Sequence, residues 1–183
     1  MSQPVRIHIF GASGAGTTTL GRAIADRLDV RFFDSDDYFW ERSEPPFTVQ
    51  RLREERTALL LGDVLDAREW VLSGSMIGWG DALVGTFTLA VYLRIDPDLR
   101  MQRLIARERL RYGARVEAGG DMHEQSKTFL EWARRYDTAG LEQRSAMLHE
   151  FWMKALPCRL LRIEHNAPVS EWAGVVLDAL DRR

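Results

Sequence analysis

The chain has 183 residues, 45% of them hydrophobic and 28% charged, which is enough for one compact core and short for two. Lys and Arg total 25 against 27 Asp and Glu, and the net charge of -2 excludes a global field for nucleic acid or anionic lipid. No apolar run nears the ~20 residues that cross a bilayer, and Cys158, the sole cysteine, excludes an intrachain disulfide and a Cys-rich zinc site. The opening segment lacks the basic region and long apolar stretch of a secretion signal, which predicts a cytoplasmic chain; a monomer or homodimer is expected. With no repeat or linker, residues 1–183 read as a single domain.

Val5 to Phe10 reads as a strand bounded by Gly11. Thr18 to Leu28 follows as a helix, with Leu20, Ile24 and Leu28 on one face. A second strand, Val30 to Phe33, ends in Asp34-Ser35-Asp36-Asp37. Gln50 to Ala67 is expected to be helical, Trp70 to Leu72 and Phe87 to Ile95 to be strands. Asp96-Pro97 supplies an N-cap and first-turn proline for a helix running to Tyr112. A loop over Gly113 to Gly120, a helix over Asp121 to Asp137, a strand over Leu160 to Ile163 and a helix over Ser170 to Leu180, with Ser170 as N-cap, complete the chain. Alternating strands and helices predict a parallel sheet of about five strands, covered on both faces. Ligands of such sheets bind beyond the carboxyl ends of the strands, which directs attention to the residues after Phe10, Phe33 and Leu72.

The first of these segments is Gly11-Ala12-Ser13-Gly14-Ala15-Gly16-Thr17-Thr18-Thr19, between a strand and a helix. Glycines there let successive N–H groups turn into one concavity, and the helix N-terminus adds partial positive charge, so the segment suits phosphate. Gly11, Gly16 and Thr18 are in register with G-x-x-x-x-G-K-[ST], but Thr17 stands in place of the lysine. The loop resembles that of P-loop kinases with the lysine substituted. The resemblance implies a three-layer α/β fold, ATP as phosphoryl donor, and Thr18 on Mg²⁺. Losing a cation that meets the transferring phosphate costs ~10²–10³ in rate where nothing replaces it. The same glycines, followed by Asp34 or Asp36, also resemble a dinucleotide-binding turn with its ribose-binding acid. No tyrosine has a lysine four residues on, which removes the short-chain reductase pair.

If the chain stays extended past Phe33, Asp34 and Asp36 share one side, facing the crevice. F-x-D-S-D is similar to the arrangement in shikimate- and gluconate-kinase-like proteins, which implies Asp34 on the metal side and Asp36 on the acceptor side. Where shikimate kinases carry a Gly-Gly-Gly turn, this chain has Ser73-Gly74-Ser75-Met76. Arg100, Arg103, Arg107 and Arg111 form one helical stripe, and Arg94 to Arg115 holds seven arginines against three acids. This strand, Asp-Pro, Arg-rich helix and glycine loop are similar to the lid of nucleoside-monophosphate kinases, implying a lid over about 107–130. Arg107, Arg111 and Arg115 are then the expected catalytic arginines beside Asp36, and one of them, or Lys127, the expected substitute for the missing lysine. Arg100 and Arg103 read as a solvated face.

The acceptor is expected over about 37–68, against Phe47, Arg51 and Arg53, with Ser75 and Trp79 lining the same crevice. Pro168, in Asn166-Ala167-Pro168 after the last strand, is placed by the resemblance beside the adenine. His8, Trp132, Tyr136 and Trp152 read as packing residues, and His123 as an exposed cap. The expected function is ATP-dependent phosphoryl transfer to a small acceptor such as a nucleoside monophosphate or hydroxylated metabolite. A nucleotide-binding sensor or pseudokinase is the alternative that Thr17 supports.

Overall fold

A computed structural model describes residues 3–181. Residues 1–2 and 182–183, the ends of the expected domain and the start of the opening segment, lie outside the described residues. Five strands form one all-parallel sheet: β1 (Arg6–Gly11), β2 (Arg31–Asp34), β3 (Trp70–Ser73), β4 (Leu89–Leu93) and β5 (Arg159–Ile163), in the order β2-β3-β1-β4-β5. β1 is central because it is apolar on both faces. Ile7 pairs with Val71 on one side and Leu89 on the other. Ile7 and Ile9 point to one layer, where α1 (Thr17–Leu28) presents Leu20 and Ile24 and α7 (Val169–Asp181) presents Trp172 and Val176. Phe33, Trp70 and Leu72 point to the other layer, against Leu60 and Val64 of α3 (Arg53–Leu65). Phe10 and Tyr92 meet Met153 of α6 (Ala146–Met153) on that same side. His8 shares it, fully buried and stacked between Phe10 and Phe87 at 5.2 and 4.9 Å.

The Arg-rich region is α4 (Pro97–Tyr112), a turn over Gly113–Val116, and α5 (His123–Arg134), which together contain the residues 107–130 expected to form a lid. Asp96 caps α4 as its position before Pro97 predicts, accepting the Leu99 N–H at 2.9 Å. Two helices were not expected. α2 (Ser35–Phe39) starts directly off β2, and α6 starts at Ser145, whose hydroxyl accepts the Leu148 N–H at 3.0 Å. α7 begins at Val169, one residue before the expected cap at Ser170, with the Pro168 carbonyl taking the N–H groups of Glu171 and Trp172. Among the described residues no helix is long and apolar enough to cross a membrane.

Candidate active site

The glycine loop closes the carboxyl end of β1. Gly14 (φ 81°) and Gly16 (φ 102°) adopt the left-handed conformation that side chains resist, and Ala15 N–H donates to Ala12 O at 3.1 Å. A Cβ on Gly14 would also come within 2.8 Å of the Arg100 carbonyl, so α4 lies directly against the loop. Residues 11–16 thus form a tight turn leading into α1, the backbone shape that gathers N–H groups round an anion. Thr17 and Thr18 open α1, half-buried, while Thr19 is exposed.

Below the loop, Thr18 Oγ1 donates to Asp34 Oδ2 at 2.8 Å. Asp34 Oδ1 accepts the Asp36 N–H at 3.1 Å, so this carboxylate also caps α2. The expectation of an extended segment here is therefore corrected. An aspartate accepting its neighbour's amide two residues on turns the chain into a helix instead. Asp36 still stands at the same crevice, carried there by the first turn of α2. Desolvation by the surrounding protein raises its carboxyl above the usual range, and Asp34 raises it further, against the opposing charges of Arg144, Arg107 and Arg111. A carboxylate so poised is suited to accept a proton.

The arginines divide differently from the expectation. Arg100 is no solvated residue: it is 1% exposed, its Nη1 donating to Ala133 O at 2.9 Å and Ser13 O at 3.4 Å, its Nη2 to Asp137 at 2.9 Å. Arg103 is exposed, as expected of a solvated face, although its Nη1 reaches Ala15 O at 3.4 Å. One helical stripe can face the loop over its first turns because Gly14 leaves room for α4. Arg107 and Arg111 bring their charge to Asp36, and Arg111 lies 3.9 Å over the Phe47 ring. Arg115 pairs with Asp121 at 2.7 Å within its own region and with Glu44 of the acceptor-side segment at 3.1 Å. Lys127 lines a shallow cleft with Arg109, Glu117 and Glu131 that includes no residue of the loop.

On the expected acceptor side, Phe47 is half-buried, and Tyr112 Oη donates to Pro46 O at 2.8 Å, tying the end of α4 to this loop. Arg51 is committed to α2, with Nη1 donating to the carbonyls of Tyr38 (2.7 Å) and Trp40 (2.9 Å). Arg53 stands exposed at the start of α3. Arg56, which the sequence reading passed over, lies 4.1 Å over Phe39 and 5.3 Å over Trp79, with its Nε buried and unpaired. Ser75 Oγ is 3.4 Å from His149 Nε2. His149 continues through Tyr136 Oη (2.6 Å) to Tyr92 Oη (2.8 Å), and burial holds its imidazole neutral, with a pKa lowered to about 3. Pro168 is exposed, and Trp172 and Arg103 Nη1 lie 3.6 and 3.7 Å from where a Cβ on Gly16 would be.

No protein-family model matches the chain. YqaC, an uncharacterised protein of Bacillus subtilis, is 50% identical over 174 residues, spanning 95% of this chain and 96% of that one. A cytidylate kinase of Methanocorpusculum labreanum is 32% identical over 119 residues, 58% of this chain and 64% of that protein. Among solved structures, a shikimate kinase from Acinetobacter baumannii in complex with shikimate shares the fold at TM-score 0.56 and 19% identity, over 97% of this chain and 93% of that one. The chain's named sequence relatives and its fold are those of P-loop small-molecule kinases.

A P-loop kinase sheet disposes of the dinucleotide reading. In a dinucleotide-binding sheet β2 lies beside β1, so that its terminal acid faces the glycine turn. Here β3 separates the two strands. Of the P-loop motif the chain keeps the glycines and Thr18 but not the lysine, since position 17 is threonine. It also brings in a residue that the sequence reading missed, Arg144, whose Nη2 hydrogen-bonds Ser13 Oγ in the loop. The available signal was Ser145 as N-cap of α6, which fixes the residue before it at the helix entrance.

Proposed function

We propose that the chain is an ATP- and Mg²⁺-dependent phosphotransferase acting on a small-molecule acceptor, a nucleoside monophosphate or a hydroxylated metabolite. The observation that carries this reading is the 2.8 Å contact of Thr18 with Asp34 at the base of the glycine loop, with Asp36 on the next turn. A hydroxyl and a carboxylate are hard oxygen donors, the set that Mg²⁺ accepts beside phosphate. When bound, the metal supplies charge neutralisation of the phosphates.

The chain's own residues divide the remaining work. Loop amides over residues 11–19 hold the phosphates, and the 166–168 segment with Arg103 flanks the adenine. Where the acceptor nucleophile is a hydroxyl, Asp36 takes its proton. Arg107 and Arg111 meet the charge on the transferring group, while Arg115 latches the lid through Asp121 and Glu44. Phe47, Trp40, Arg111 and Arg56 suit an anionic acceptor with a flat apolar part, and the cytidylate kinase relative favours a nucleoside monophosphate. Ser75 and Arg53 border the same side.

The test is calorimetric titration with ATP·Mg²⁺, followed by ADP release across a panel of nucleoside monophosphates and polyols. Binding with turnover on one acceptor class is expected. Binding without transfer to any acceptor favours the sensor reading that Thr17 allows, and no binding of ATP overturns both.

A further inference from the structure

With threonine at position 17, the loop itself brings no cation to the phosphates. Several arginines surround it, and most are otherwise engaged. Arg100 is shared among Ser13 O, Ala133 O and Asp137, and is buried. Arg103 touches the carbonyl of Ala15, at the helix side of the loop. Arg107 and Arg111 belong to the lid, with their guanidinium groups over Phe129 (5.9 Å) and Phe47 (3.9 Å).

Arg144 differs in origin and in surroundings. It comes from the segment between α5 and α6, outside the lid, and the Ser145 cap fixes its backbone. Its guanidinium lies 4.8 Å over the Trp132 ring, which holds a planar cation at low entropic cost. Nη2 reaches Ser13 Oγ on the phosphate loop, while Nε is buried with no hydrogen-bond partner. An enclosed, unpaired donor is unfavourable, and a phosphate oxygen would satisfy it. The charge of Arg144 also bears on Asp36, as do those of Arg107 and Arg111.

We propose that Arg144 takes the place of the absent loop lysine, meeting the charge of the β- and γ-phosphates of a nucleoside triphosphate. This rests on the phosphotransferase reading above. In the step itself, the acceptor oxygen forms a bond to the γ-phosphorus as the bond from that phosphorus to the β,γ-bridging oxygen breaks. A hydroxyl proton passes to Asp36, the displaced charge leaves on ADP, and Arg144 stays protonated throughout. Burial and the neighbouring Arg107 and Arg100 lower its proton affinity in the free protein, with Asp36 opposing; a bound polyanion relieves that repulsion.

The experiment compares wild type, Arg144→Ala, Thr17→Lys and the double variant. Each is measured for ATP and ADP affinity by calorimetry with Mg²⁺, and for ADP release with the best acceptor. Arg144→Ala is expected to lower the ATP-to-ADP affinity ratio about tenfold and turnover ~10²–10³-fold, with ADP, which keeps the β-phosphate, losing less affinity than ATP. Thr17→Lys should restore most of both in the Arg144→Ala background. A single variant with wild-type ratio and turnover would overturn the proposal, as would a double variant no better than Arg144→Ala. If Arg144→Ala melts below assay temperature, Arg144→Gln, which keeps a donor for Ser13, replaces it with the same expectations. Failure of wild type to bind ATP is the separate outcome that removes the phosphotransferase reading itself.

Discussion

Arg100→Ala separates a structural arginine from a solvated one on the same helix. The Arg100 side chain is 2% exposed and its partner Asp137 19% exposed, with 2.9 Å between them. Removing one member of a buried pair costs about 3–5 kcal/mol, because the remaining charge keeps its desolvation penalty. Asp137 keeps a weaker contact with Arg94 at 3.6 Å, which places the expected loss in the lower half of that range. The Ala133 carbonyl also loses its 2.9 Å donor. At about 2–4 °C per kcal/mol for a chain of this size, a loss of about 3–4 kcal/mol lowers Tm by roughly 6–16 °C. Arg109→Ala is the control: that side chain is 66% exposed, pairs with Glu117 at 3.5 Å, and should change stability by less than about 0.5 kcal/mol. Urea unfolding followed by tryptophan fluorescence reads both variants, with Cm shifting at constant m. Equal, small shifts in the two variants would refute the claim that α4 is fastened to the loop and to α5 through Arg100.

Gly14→Ala forces a side chain into φ 81° and to within 2.8 Å of the Arg100 carbonyl, so it should destabilise by more than ~2 kcal/mol and lower ATP affinity. Asp34→Asn keeps an acceptor for the Asp36 amide but drops the charge; Mg²⁺ should then improve ATP affinity far less than in wild type, read by titration with and without the metal. His8 and His149 both have pKa values lowered to about 3 from 6.5 by burial. The unfolded chain thus binds protons that the folded chain refuses: their stabilisation is complete above pH 6.5 and is lost as pH falls toward 3, at about 1.4 kcal/mol per pH unit for each. His8→Phe should make the fall in stability between pH 6.5 and 5 shallower than in wild type, and identical slopes would sink that assignment. Phe47→Ala, which removes the ring under Arg111, should raise the acceptor KM several-fold while leaving ATP affinity unchanged, as measured by steady-state kinetics with the best acceptor.

Local sequence determined what depends on neighbours along the chain. Apolar runs such as Ile7-His8-Ile9-Phe10 place the strands, Gly14 and Gly16 shape the loop, Asp96-Pro97 starts α4, and the strand–helix alternation implies the parallel sheet. What escaped the reading depends on partners far along the chain. Arg100 looks like its solvated neighbours on the α4 stripe until Ser13, Ala133 and Asp137 are brought round it. Asp34 and Asp36 share a crevice through a helix, because one carboxyl oxygen was available to cap it while the other met Thr18. Arg144 lies 131 positions from Ser13, and the neutral chain of His149, Tyr136 and Tyr92 forms only once α6 packs against β1 and β4. Whether a charged side chain is solvated or structural is decided by what desolvates and pairs it, and those groups are assembled by the tertiary fold.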